Sequence, residues 1–203
     1  MELKTLIPML IGLLVLATLF LVLTDEKEGI KRGPRRARSN VKTDAVTALM
    51  KRFALRNDCK VLGPVTLHRG EQTVRLDSVA VGWFGVLGVM ALGYNGKIYG
   101  NPQDKEWLWT SADRREAFAN PINECALAAR VMREALMNAG VRSPETEAVF
   151  VFTDGKAELC IPRSVAPMHL KDFRAYLRKD KFRADKGYDV EKMAAALQPF
   201  VEG

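Results

Sequence analysis

Polar and apolar positions divide this chain into three regimes. The first is an uninterrupted apolar run, Leu6 to Leu23 (LIPMLIGLLVLATLFLVL), eighteen residues without a charge. As a helix it reaches about 27 Å at ~1.5 Å per residue, close to the ~30 Å hydrocarbon core of a bilayer. The second regime is β-patterned. Between Thr73 and Gly100 (TVRLDSVAVGWFGVLGVMALGYNGKIYG), Val74–Val81 and Val86–Leu92 are β-branched, apolar runs bounded by glycines. The reading is two core strands joined at Gly82-Trp83-Phe84-Gly85. Cys59–His68 reads as an earlier strand kinked at Gly63-Pro64, with Arg69-Gly70-Glu71 as the turn after it. Ile98–Gly100 is expected to continue the sheet. Trp107–Trp109, Ala148–Thr153 and Glu158–Pro162 read as further short strands.

The third regime has helical spacing. Val46, Leu49, Met50 and Phe53 fall at i, i+3, i+4 and i+7, predicting a helix over Asn40–Arg56 with Asp44 in its first turn. Asn120-Pro121 is a cap followed by proline at the first helical position. It opens a helix whose apolar face is Ile122, Cys125, Ala129, Met132 and Leu136, closed by Gly140. Two more helices are predicted near the C-terminus, one on Leu170, Phe173 and Leu177. The other rests on Val190, Met193, Ala194 and Leu197, with Asp189 as cap. The basic run Arg174–Arg183 between them reads as a solvated face. The order is helix, strands, helix, strand, helices: an α/β domain with a mixed sheet between helices.

Charge sharpens the picture at the N-terminal end. Residues 1–43 hold eight Lys/Arg against four Asp/Glu, whereas the remaining 160 residues hold 23 against 20. Most of the net +7 therefore sits around the apolar run. Lys27, Lys31, Arg32, Arg35, Arg36 and Arg38 follow it, against Lys4 before it. That asymmetry predicts a single-pass anchor in the cell membrane, with the N-terminus outside and everything after Thr24 cytoplasmic. No small-x-small cleavage site follows Leu23, which disfavours a secretory signal. Residues 25–39 read as a basic tether, broken by Gly29, Gly33 and Pro34, whose charge suits nucleic acid or, more simply beside a membrane span, the anionic headgroups of the lipid bilayer. The expected division is an anchor over 1–24, the tether, a domain over 40–160 and a helical extension over 161–203. Three cysteines at no metal-ligand spacing read as reduced thiols, and two histidines argue against zinc or Ser-His-Asp chemistry.

Within the two core strands Asp77 is the single acid, and it is the residue to explain. The segment Lys60–Phe152, with the opening helix and its Asp44, resembles the nuclease-related domain (NERD) family, a branch of the restriction-endonuclease-like fold. The matching pieces are KVLGPVTL, VRLDSVAVGWFGVLGV, GKIYG, the Trp-containing segment, the NPI helix start at Asn120–Ile122 and AVFVF. The resemblance implies an Asp on one strand and Glu-x-Lys on the next, where a period of two places Glu and Lys on one face. In such nucleases two carboxylates hold a divalent metal and the Lys positions the attacking water. Here the positions matching Glu-x-Lys are Met90, Ala91 and Leu92, and the family's Gln in the NPxxQ helix start is matched by Glu124. The site is therefore expected to be degenerate and the domain inactive. A scaffold binding DNA, RNA or a protein partner is the expected role, with Asp77 held by Arg75, two residues away. One alternative is an active magnesium-dependent nuclease with a site rebuilt from Asp44, Asp77, Glu124 and Lys97. Another is a protein-interaction module with no nucleic-acid role.

Overall fold

The computed structural model describes residues 40–162, 165 and 168–202, the side chains of residues 40–44 excepted. The apolar run and the tether lie outside the described residues. Among the described residues no helix is long and apolar enough to cross a membrane. The described residues open with α1 (Asn40–Asn57), whose start at Asn40 leaves no acid in the first turn. Asp44 therefore belongs to the second turn, where the pull of the helix N-terminus is weaker.

The strands follow as β1 (Lys60–Leu62), β2 (Val65–Arg69), β3 (Gln72–Leu76), β4 (Ser78–Gly82) and β5 (Gly85–Leu92). Two predicted strands are thus each broken in two. The break is shared. β1 pairs with β4 (Lys60↔Val81) and β2 with β3 (Val65↔Leu76) in one unbroken register, which sets Gly63 opposite Ser78 and Pro64 opposite Asp77. The four strands are one long hairpin folded across its middle, where Pro64 has no N–H to offer a ladder. A Cβ on Gly63 would lie 3.1 Å from the carbonyl oxygen of Asp77, so the bend brings the two backbones together there. Beyond it, β2 and β3 leave the main sheet.

That sheet has the order β1-β4-β5-β9-β11, with β9 (Thr146–Phe152) parallel to β5 and β11 (Met168–His169) at the edge. β5 is buried along its whole length, as the unbroken apolar run predicts for a strand covered on both faces. Its turn depends on Gly85, at φ +113°, where a Cβ would stand 2.4 Å from the carbonyl oxygen of Glu145.

Alternation sorts the core into two layers. Val79, Val81, Met90, Leu92, Phe150 and Phe152 face one side, under α2 (Pro121–Asn138), which contributes Cys125, Ala128, Met132 and Leu136. Ala128 is the buried alanine and Ala129 only half-buried. Ala80, Leu87, Val89, Ala91, Val149 and Val151 face the other side, under Val46, Met50 and Phe53 of α1. The C-terminal helices enter both layers. Phe173 of α3 (Leu170–Tyr176) joins the α1 side, and Met193 and Leu197 of α4 (Val190–Leu197) the α2 side.

Ile98 does not continue the main sheet. It lies in β6 (Gly96–Tyr99), within a separate sheet of order β10-β6-β7-β8. Here β7 is Glu106–Thr110, β8 is Arg115–Ala119 and β10 is Ala157–Cys160. β8 has no hydrophobic alternation to announce it, since only Phe118 is buried.

Candidate functional site

The position of Asp77 follows from the fold across the hairpin. The register that pairs Ser78 with Val89 would next bring Leu76 opposite Ala91, but β3 has already turned away. The Asp77 carboxylate fills the gap. Its Oδ2 accepts from the backbone N–H of Ala91 at 2.7 Å, while its own N–H donates to the Val89 carbonyl at 2.8 Å. The other oxygen, Oδ1, accepts from Arg75 Nη1 at 3.3 Å. Arg75 and Asp77 do form the ion pair expected from their spacing.

Arg75 in turn is held by a residue 127 positions downstream. Its Nε donates to Glu202 Oε1 at 2.6 Å and its Nη2 to Oε2 at 3.0 Å, the two-point geometry that suits guanidinium and carboxylate. The hydrogen bond to Glu202 raises the Arg75 pKa above its ordinary value, against the effect of burial; the charges of Glu202 and Asp77 add to the rise. Thr66 also donates to Glu202, and the Glu202 N–H caps the Pro64 carbonyl at 2.8 Å. Asp77 is thus the inner end of a chain, Asp77–Arg75–Glu202, that fastens the C-terminus over the bend. Nothing local in the sequence announces Glu202 as a partner.

The remaining candidates do not gather around Asp77. Met90, opposite it, is fully buried, and Leu92 is 1% exposed; both belong to the core under α2. Lys97 sits exposed in the separate sheet, opposite Thr110 and Glu158. Glu124, in the first turn of α2, lines an open groove of about 560 Å³ with Thr73, Lys105 and Asn123, and Asp77 does not line it. The side chain of Asp44 lies outside the described residues, but its helix α1 covers the sheet face opposite to α2. The sheet therefore stands between the helices that carry Asp44 and Glu124.

These residues do not fit a divalent cation. Hard cations ask for several oxygen ligands, and both oxygens of Asp77 already serve donors of the chain. Ser78, next to it, is fully buried with no hydrogen-bond partner for its hydroxyl among the described residues. One neutral hydroxyl does not replace the missing carboxylate. Among the described residues no group of three or more His, Cys, Asp or Glu is placed to hold a metal ion.

The NPI segment has a clear structural task. Asn120 is 1% exposed; its Oδ1 accepts from the Ile122 N–H at 2.9 Å and caps α2. Its Nδ2 reaches the carbonyls of Asn101, Pro102 and Asp104, the last at 2.7 Å, so the motif ties the loop before β7 to the helix.

Neither a curated protein nor a solved structure matches this chain. A family model does: the nuclease-related domain matches residues 40–153, which run from the start of α1 through β9 and contain Asp77, Met90, Leu92, Lys97 and Glu124. That is more than half of the sequence, and the chain belongs to the nuclease-related domain (NERD) family.

Proposed function

We propose that this protein is a membrane-anchored NERD domain that keeps a restriction-endonuclease-like scaffold without its metal-dependent hydrolysis, and that it binds nucleic acid beside the membrane. One observation carries the loss of chemistry: both oxygens of Asp77 are engaged, by Arg75 and by the Ala91 N–H, opposite a buried Met90. A nuclease of this type must present that carboxylate to a metal; this chain turns it into a clamp for its own sheet. The apolar run Leu6–Leu23 supplies the anchor, and the six basic residues from Lys27 to Arg38, against Lys4 before the run, set the domain on the cytoplasmic side.

Binding is electrostatic in this reading, and the basic tether contributes most of it, since each neutralised phosphate makes affinity fall with salt. The test is duplex and single-stranded DNA binding by the full chain across a salt series, compared with a chain lacking residues 1–38. Affinity should decline steeply with salt and become feeble at physiological salt once the tether is removed. Absence of DNA binding at low salt would favour a protein-interaction module instead. Tight, sequence-selective binding by the shortened chain would move the reading surface into the folded domain.

A further inference from the structure

Away from the family's site, one cavity collects charge of a single sign. It opens between the last turns of α1 and the segment from α3 through the 3₁₀ turn Asp180–Phe182, and encloses about 380 Å³. Arg52, Arg56, Arg174, Arg178 and Arg183 line it, and among the described residues no carboxylate does.

The convergence follows from spacing. Arg52 and Arg56 are four apart on α1. Arg174 and Arg178 are four apart on α3 and the turn that continues it, where the Arg178 N–H donates to the Ala175 carbonyl at 3.1 Å. Each pair projects from one side of its helix. The walls are fixed beneath them by aromatic packing. Phe53 of α1 meets Phe182 edge-on at 5.5 Å and Phe84 at 5.7 Å, and Phe173 is fully buried.

An arginine-rich face is ordinarily just hydrated surface. Two features separate this one. Several cations elsewhere on the domain pair with acids: Lys60 with Glu191, Arg130 with Glu134, Lys181 with Glu147, Lys186 with Glu145. In the cavity only Arg183 has such a partner among the described residues, Asp180 at 3.7 Å. The surface is also concave, so guanidinium groups from two elements face a common space rather than diverging into water. Like charges a few ångströms apart repel by about 1 kcal/mol per pair even in bulk water and by more near a protein surface. An anion entering the space removes that repulsion and gains charge-assisted, forked hydrogen bonds.

The size of the space selects among anions. A nucleic-acid strand spaces its charges by ~3.4 Å of rise and must leave the cavity at both ends. A short chain of phosphoryl groups, each carrying roughly −1 or more, concentrates comparable charge within the cavity itself. We propose that the α1–α3 cavity binds a compact polyphosphate anion, such as the phosphate chain of a free nucleotide, through these five arginines. The site is independent of the membrane, of DNA binding and of the state of Asp77.

The test is calorimetric titration of the full-length chain in detergent with tripolyphosphate, ATP and inorganic phosphate, without divalent metal and at about physiological salt. Saturable one-to-one binding of tripolyphosphate and ATP is expected, tighter than that of inorganic phosphate. The double variant Arg56→Ala/Arg178→Ala should weaken it by roughly tenfold or more, and Arg56→Lys/Arg178→Lys by less, because charge remains and the fork is lost. Lys156→Ala/Arg115→Ala, which removes equal charge elsewhere, should leave it unchanged. Matching thermal melts show that the variants remain folded. No saturable binding, or equal weakening by both alanine pairs, overturns the proposal. So does displacement of tripolyphosphate by a charge-matched oligonucleotide or by anionic-lipid vesicles at lower phosphate concentration, which would assign the arginines to a nucleic-acid backbone or to a membrane.

Discussion

Asp77 and the α1–α3 cavity treat charge in opposite ways. At the fold of the hairpin a buried carboxylate is answered on both oxygens by the chain itself, and its cationic partner Arg75 is answered again by Glu202. In the cavity five arginines are brought together, and only Arg183 has an acidic partner among the described residues. A buried charge that is paired and hydrogen-bonded within the chain is part of the structure, and a ligand must compete with those bonds. Converging charges of one sign cost stability and repay it only when something binds. The single acid of the two core strands thus lies in the region with least chemical freedom, and the greatest freedom lies where the family resemblance offers no guide.

The comparison predicts effects of different size and sign. Asp77→Ala leaves the Ala91 N–H buried without an acceptor and removes one partner of Arg75, so chemical denaturation should report a loss of about 3 kcal/mol. A loss below about 0.5 kcal/mol would mean that Asp77 is not a clamp. Ser78→Ala, one residue away, has the opposite sign: deleting a buried hydroxyl with no partner should raise stability by about 1 kcal/mol. If it destabilises instead, the hydroxyl serves a group that the neighbouring residues do not reveal. Glu202→Gln loosens the outer end of the chain, which is partly exposed and screened, and should cost about 1 kcal/mol at low salt and less as salt rises. Smallest of all, Arg52→Ala/Arg174→Ala should leave stability unchanged or raise it by up to about 0.5 kcal/mol, because it relieves a screened like-charge repulsion and neither side chain has an acidic partner among the described residues to lose. A loss as large as that of Asp77→Ala would erase the contrast between the two regions.

What was legible in the sequence depended on how local the cause was. Strands β5 and β9 are readable because short apolar, β-branched runs bounded by turn residues suit a buried strand, and α2 because Asn120-Pro121 fixes its start. Asp77 stood out as the single acid of the two core strands, and its pairing with Arg75 needed only a two-residue step. The fold across Gly63-Pro64 and Asp77 was half visible: proline marks a break in its own strand but not the matching break opposite. Alternation also says which residues face together, not which strand lies beside them, so the transfer of β6 and Lys97 to a second sheet was hidden. β8 had a single buried residue to report it. The Ala91 N–H answers Asp77 only through register, and Glu202 answers Arg75 across a separation of 127 positions. The arginine cavity needed two helices brought together by phenylalanines, although its i, i+4 pairs were in plain view.

The central claim, that the family's acid has been withdrawn from metal chemistry, is tested most directly by DNA cleavage. The full-length chain should leave supercoiled plasmid and single-stranded DNA intact with magnesium or manganese, because both Asp77 oxygens are engaged within the chain and Met90 and Leu92 offer neither carboxylate nor lysine. Asp77→Asn should be as inert as the parent chain. Metal-dependent cleavage by the parent that disappears in Asp77→Asn would contradict the account, and Glu124→Gln would then be the next variant to assay.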